Sequence, residues 1–207
     1  MKVSKSLNIY LVRHTQPLVK NAACYGRLDL PLADCYQHHL DKISDYFKEL
    51  PISFIYSSPL LRCSKLAEDL GNKRDPVVKP VLSAQLKEIN FGDWEGKSWS
   101  DIPQSEIECW NLNRLHYQFP RGETPYQFHL RVIKAWKKIV SDAQTDLTAE
   151  QSIVIVAHAG VIRSILSDFL SIPFELSVKL QIDMGSISLL SFQGETSTCV
   201  FVNKSNN

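Results

Sequence analysis

The sequence predicts an α/β fold with a largely parallel sheet flanked by helices. Short runs rich in β-branched residues recur at strand length, stretches with apolar residues at helical spacing separate them, and proline and glycine mark the boundaries. Leu7 to Val12 is an apolar-rich run of strand length, and Ser152 to Ala157 carries four β-branched residues in succession, Ile153 to Val156. Phe54 to Tyr56 and Val77 to Val81 are shorter candidates, and Ile187 to Phe192 with Cys199 to Val202 closes the chain as a strand pair. From Asp34 onward, Tyr36, Leu40, Ile43, Phe47 and Leu50 place one apolar stripe against a core. Ser57-Ser58-Pro59 offers a capping side chain and a proline for the first helical position, and Gly71 stands where a C-cap is expected. That punctuation predicts a helix from Pro59 to Leu70. Phe128, Val132, Trp136 and Ile139 mark a third helix, and Val161, Ile165, Leu166 and Phe169 a fourth.

Composition narrows the class of protein. The 207 residues are 44% hydrophobic and 22% charged, the usual globular mix, and fit one domain spanning 1–207. A net charge of +1 lacks the broad positive field that nucleic acid or an acidic membrane surface demands, which leaves a small anion held by a local cluster. Ile153 to Ala157 and the other apolar runs are far shorter than the roughly 20 residues of a membrane span, and no signal-peptide pattern opens the chain. Cys24, Cys35, Cys63, Cys109 and Cys199 are odd in number and form no CxxC pair, which argues against a disulfide framework or a zinc site. Reduced thiols in a cytoplasm are the expectation.

The chemistry concentrates where strands end. Arg13-His14 closes the first strand, Arg62 falls in the first turn after Pro59, and His158 ends the strand before Gly160. In an α/β sheet these junctions share one rim, the usual ligand site. Two arginines, two histidines and the N–H groups of helix N-termini suit a doubly charged tetrahedral anion, with phosphate the obvious candidate. A histidine beside two fixed cations stays neutral and keeps a lone pair, as a nucleophile toward phosphorus requires. Any one Arg-His pair after a strand is more often incidental; three such junctions in one chain are not. Glu88, set among Ile89, Phe91 and Trp94, suits a general acid and equally suits the capping of a loop. Glu95, before Gly96 in a turn, is the rival acid.

Other phosphate chemistries fit poorly. Gly92-Asp93-Trp94-Glu95-Gly96-Lys97-Ser98 mimics a P-loop but has three residues between its glycines, two of them acidic. A cysteine phosphatase needs an arginine six positions after its cysteine, and Leu30, Asp41, Asp69, Leu115 and Ser205 stand there. Neither HExxH nor GxSxG occurs.

From about Ile9 to about Leu166 the chain resembles the histidine phosphatase superfamily, the phosphoglycerate mutase-like proteins. Arg13-His14-Thr15 matches its opening signature, Arg62 its second arginine, Leu86 to Gly96 its acidic segment and His158 its second histidine. The resemblance implies a three-layer phosphoglycerate mutase-like fold in which His14 is phosphorylated, Arg13, Arg62 and His158 hold phosphoryl oxygens, and Glu88 protonates the leaving oxygen. No metal and no cofactor are implied. Within the superfamily the likeness is nearest to the α-ribazole phosphatases, through Arg13 to Pro17 and Cys24 to Ala33, which implies hydrolysis of α-ribazole 5′-phosphate in cobalamin nucleotide-loop assembly. A broad-range sugar-phosphate phosphatase and a mutase-like phosphotransferase share the same catalytic residues, but the insertion of the mutases after the glutamate is missing between Glu88 and Pro120. Thr15, Tyr25, Gly26 and Trp94 are the expected substrate contacts, the two rings stacking on the base. Lys20 stands where many members carry asparagine, no glycine follows near Cys35-Tyr36, and Arg121-Gly122-Glu123-Thr124 keeps part of a family turn.

Overall fold

A computed structural model describes residues 5–19, 23–145 and 150–205, so Lys20 lies outside the described residues. Six strands form one sheet in the order β3-β2-β4-β1-β5-β6. They are β1 (Ser6–Arg13), β2 (Ile52–Ser57), β3 (Val81–Leu82), β4 (Gln151–Ala157), β5 (Ile187–Gln193) and β6 (Thr196–Lys204). The first four run parallel, while β5 and β6 add an antiparallel hairpin beside β1.

Period-two alternation sorts the strand side chains into two cores, because successive residues face opposite sides of a sheet. Leu7, Ile9 and Leu11 of β1 join Ile153 and Ile155 of β4 on one side. There they meet Val132 and Trp136 of helix α4 (Pro125–Thr145) and Ile165 of helix α5 (Ala159–Phe169). Tyr10, Val12, Val154 and Val156 face the other side. They pack on Ile43 and Phe47 of helix α1 (Tyr36–Phe47) and on Leu66 and Leu70 of helix α2 (Leu61–Asn72). The result is the three-layer α/β sandwich predicted from the sequence. Helix α3 (Gln104–Leu112) was not legible, since its apolar residues form no continuous stripe and none of them is fully buried.

Three boundaries depart from the sequence reading. The strand expected over Val77 to Val81 shrinks to Val81–Leu82, an edge pair with both side chains exposed. Helix α2 begins at Leu61 and not at Pro59: Ser58 Oγ, 2.8 Å from His158 Nε2, accepts from the Leu60 N–H at 3.3 Å, and the Leu61 N–H is satisfied by Asp29 Oδ1 at 2.7 Å. Gly71 lies inside α2 and not beyond its end. Close approach explains it: an added Cβ would stand 2.0 Å from the Val78 carbonyl oxygen.

Gly71→Ala should therefore destabilise the protein by about 1–3 kcal/mol through overpacking. Urea unfolding checks this, and an unchanged or raised midpoint would show that the Val78 segment moves aside freely.

Candidate active site

Strand register builds the site. Arg13 pairs with Ala157 and Ser57 with Val156, so the residues just beyond them, His14, Ser58 and His158, share one rim. The His14 N–H donates to Ala157 O at 2.9 Å and the Ser58 N–H to Val156 O at 3.1 Å, carrying the pairing past the strand ends.

His14 is buried, with Nδ1 2.7 Å from the Thr15 carbonyl oxygen. A carbonyl only accepts, so Nδ1 carries the hydrogen and Nε2 keeps its lone pair. Burial, then the charge of Arg62, with a smaller push from Arg13, lowers the His14 pKa to about 3 against a partial rise from the Thr15 bond. The cations foreseen from the sequence thus act as expected, but burial outweighs them.

Each arginine is aimed by backbone carbonyls. Arg13 Nη1 donates to Ile182 O at 2.6 Å. Arg62 donates from Nη2 to Gly26 O at 2.6 Å and from Nη1 to Leu28 O at 2.8 Å, beneath the Tyr25 ring at 5.4 Å. Both arginines line a cleft of about 170 Å³ with His14, Tyr25 and Glu88. Among the described residues, the buried Nε–H of neither has an acceptor. Larger cavities open beside β2, β3 and α4, but no histidine lines them.

Glu88 lines the same cleft. Its carboxylate accepts from the Ile89 N–H at 3.1 Å and from the Gly160 N–H at 3.0 Å, the latter in the first turn of α5. Glycine at 160 permits this, because a Cβ there would lie 2.3 Å from Glu88 Oε1. Arg131 holds the segment that carries Glu88, donating to the carbonyls of Gln85, Lys87 and Glu88 while forking onto Glu123. Burial would raise the Glu123 pKa, but hydrogen bonds from Arg131 and its charge outweigh that and hold the carboxyl below its usual range.

The other expected contacts are rearranged. His158 is fully buried behind His14, ring centroids 5.1 Å apart, with Nε2 2.8 Å from Ser58 Oγ. Burial, followed by the neighbouring His14 and the arginines, lowers its pKa. Thr15 is 0% exposed, and its carbonyl orients His14 while the side chain stays out of the cleft wall. Gly26 likewise serves through its carbonyl, on Arg62. Trp94 is a correction: it is 0% exposed, packed among Trp99, Trp110, Tyr117 and Phe119, and its Nε1–H donates to Glu106 at 2.6 Å. It is core and cannot stack on a ligand. Glu95 is spoken for as well, accepting from the N–H groups of Arg27, Leu28 and Phe91.

Arg163 was missed. It lines the cleft from α5, with Nε donating to Leu180 O at 2.9 Å. The signal was present, since Arg163 follows Ala159 by one helical turn on the face that starts at the rim. Among the described residues no group of three or more His, Cys, Asp or Glu side chains is placed to hold a metal, and no helix is long and apolar enough to cross a membrane.

The model of the histidine phosphatase superfamily (branch 1) matches residues 9–205. A Hydrogenobacter thermophilus protein named "Putative phosphoserine phosphatase 2" is 27% identical over 200 residues, covering 95% of each chain. The adenosylcobalamin/alpha-ribazole phosphatase of Salmonella typhimurium is 24% identical over 188 residues, 89% of this chain and 90% of its own. The crystal structure of the alpha-ribazole phosphatase from Shigella flexneri superposes with a TM-score of 0.83 at 22% identity, covering 95% of this chain and 96% of that one. That likeness is one of fold.

The Arg131–Glu123 pair, with side chains 15% and 14% exposed, should behave as a buried ion pair. Arg131→Gln leaves Glu123 with only Arg27 at 3.2 Å and the Asn90 N–H at 2.8 Å, and should lower the unfolding free energy by about 2 kcal/mol. Denaturant titration measures this; a loss below about 1 kcal/mol, typical of exposed pairs, would remove Arg131 as the anchor of the Glu88 segment.

Proposed function

The chain belongs to the histidine phosphatase superfamily (branch 1), and from that premise we propose that it hydrolyses phosphomonoesters through a phosphohistidine on His14. One observation carries the reading: a buried neutral imidazole with a free Nε2 shares its cleft with two arginines whose Nε–H groups lack acceptors. A phosphate dianion supplies those acceptors and presents phosphorus to the lone pair.

His14 Nε2 attacks phosphorus as the bond to the ester oxygen breaks, and Glu88 passes its proton to that oxygen. The Nδ1–H bond to Thr15 O holds the ring in line throughout. Arg13 and Arg62 hold the phosphoryl oxygens and offset the charge that grows on them, while the buried His158 backs the His14 ring. Water then attacks phosphorus, Glu88 takes its proton, and the P–N bond breaks to release inorganic phosphate. The positive charge that faces the phosphoryl oxygens comes from arginine, so turnover continues in EDTA.

The specific substrate in this reading is α-ribazole 5′-phosphate. The Cys24-Tyr25-Gly26 segment and the names of the Salmonella and Shigella relatives support it. Phosphoserine, named for the Hydrogenobacter relative, is the rival. A panel of these two esters with ribose 5-phosphate decides: kcat/KM highest for the nucleotide supports the specific reading, and parity with ribose 5-phosphate leaves a broad-range phosphatase.

His14→Ala should abolish turnover, and Arg62→Ala should lower it by about 10²- to 10³-fold, as loss of one transition-state donor does. Labelled substrate should leave an acid-labile, alkali-stable adduct on His14, and an adduct on cysteine, serine or aspartate would overturn the mechanism. Glu88→Gln should spare p-nitrophenyl phosphate, whose leaving group needs no proton, more than an alkyl phosphate. Equal losses on both, with dephosphorylation not limiting, would move the acid elsewhere.

A further inference from the structure

A second cavity, of about 270 Å³, adjoins the cleft and shares Ile89, Phe91, Gly160 and Arg163 with it. Beyond that shared boundary its lining turns mainly apolar, with Trp110, Phe128, Phe174 and Val178 beside Arg114 and Glu175. The sequence points to Tyr25 and Trp94 as the aromatic contacts, whereas the structure puts a different set of rings next to the cleft. These rings are held firmly: Phe174 packs against Phe128 at 6.2 Å and stacks on the His129 ring at 4.4 Å.

Three polar residues, Arg114, Glu175 and Ser177, interrupt the apolar wall, and of these Ser177 is the one that is buried. Ser177, in the short helical turn Phe174–Lys179, lines the cavity and is 1% exposed, yet its Oγ has no hydrogen-bond partner among the described residues. A buried hydroxyl left unpaired is unfavourable, so its place in a ligand-sized cavity points to a ligand atom as partner.

We infer that this cavity binds the leaving group of the ester, and that the group is a flat aromatic ring bearing a hydrogen-bond acceptor for Ser177. This deepens the reading of the cleft as a phosphomonoesterase site and rests on it. Phosphorus sits at His14, a short spacer passes Arg163 at the junction, and the ring lies between Phe91 and Phe174. The guanidinium of Arg163 keeps its Nη groups for oxygens of the spacer, since its Nε is the atom given to Leu180 O.

Matched alkyl phosphates separate ring binding from leaving-group chemistry. 2-(Benzimidazol-1-yl)ethyl phosphate should exceed ethyl phosphate in kcat/KM by about tenfold or more, as burial of a ring implies. It should exceed its indol-1-yl counterpart, which differs only in lacking the acceptor nitrogen, by about threefold or more. Val178→Trp, at an exposed position on the rim, should collapse the ring preference, and Ser177→Ala should collapse the nitrogen preference. Both readings are ratios within one variant, so loss of folded protein cancels. Ligand-observed NMR of 1-ethylbenzimidazole supplies a measure that needs no turnover. Ring binding by wild type that Val178→Trp weakens, in a protein that hydrolyses nothing, would sink the catalytic reading and keep the pocket. No ring preference and no ring binding, or a preference untouched by Val178→Trp, overturns the inference; a nitrogen preference that survives Ser177→Ala removes Ser177 as its donor.

Discussion

The bond from His14 Nδ1–H to the Thr15 carbonyl, 2.7 Å long and closed to solvent, is the constraint on which the site depends. It fixes which nitrogen holds the proton and therefore which one keeps its lone pair. Burial and two guanidinium groups keep the ring neutral, with its pKa lowered to about 3. The folded chain binds fewer protons than the unfolded chain between that value and about 6.5. The contribution of this ring to stability is accordingly intact above about pH 6.5 and is lost as pH falls toward 3. A neutral imidazole in this position is obtained at the expense of acid stability.

The cations around it follow a consistent rule. Arg13, Arg62 and Arg163 are held by the carbonyls of Ile182, Gly26, Leu28 and Leu180, and none takes part in an ion pair among the described residues. A carbonyl orients a guanidinium without cancelling its charge, so the full positive field stays available to a dianion. Arg131 shows the contrast. It is neutralised by Glu123, and its work is mechanical, holding the carbonyls on either side of Glu88.

The layer architecture was readable because β-branched runs and helical stripes are strong periodic signals, and Arg13, His14, Arg62 and Glu88 converge because parallel strands share one C-terminal edge. The rest depended on information carried by contacts distant in sequence. Trp94 between two glycines reads as a loop tip, yet four surrounding aromatic rings draw it into the core. Ser58 reads as a helix cap and does accept from the Leu60 N–H, but the pairing of β2 with β4 also brings it against His158, one hundred positions away, and Asp29 satisfies the next N–H of the helix end. Glu95 and Glu123 look equivalent as acidic loop residues until the N–H groups and the arginine that occupy them are known.

The protonation state of His14 is the central claim and can be observed directly. Nitrogen-15 NMR of histidine-labelled protein, with the signal assigned by its loss in His14→Gln, reports both tautomer and titration. The account predicts a neutral ring protonated on Nδ1 that does not titrate between pH 5 and pH 8. A ring that titrates near its ordinary value of about 6.5, or one protonated on Nε2, would contradict it.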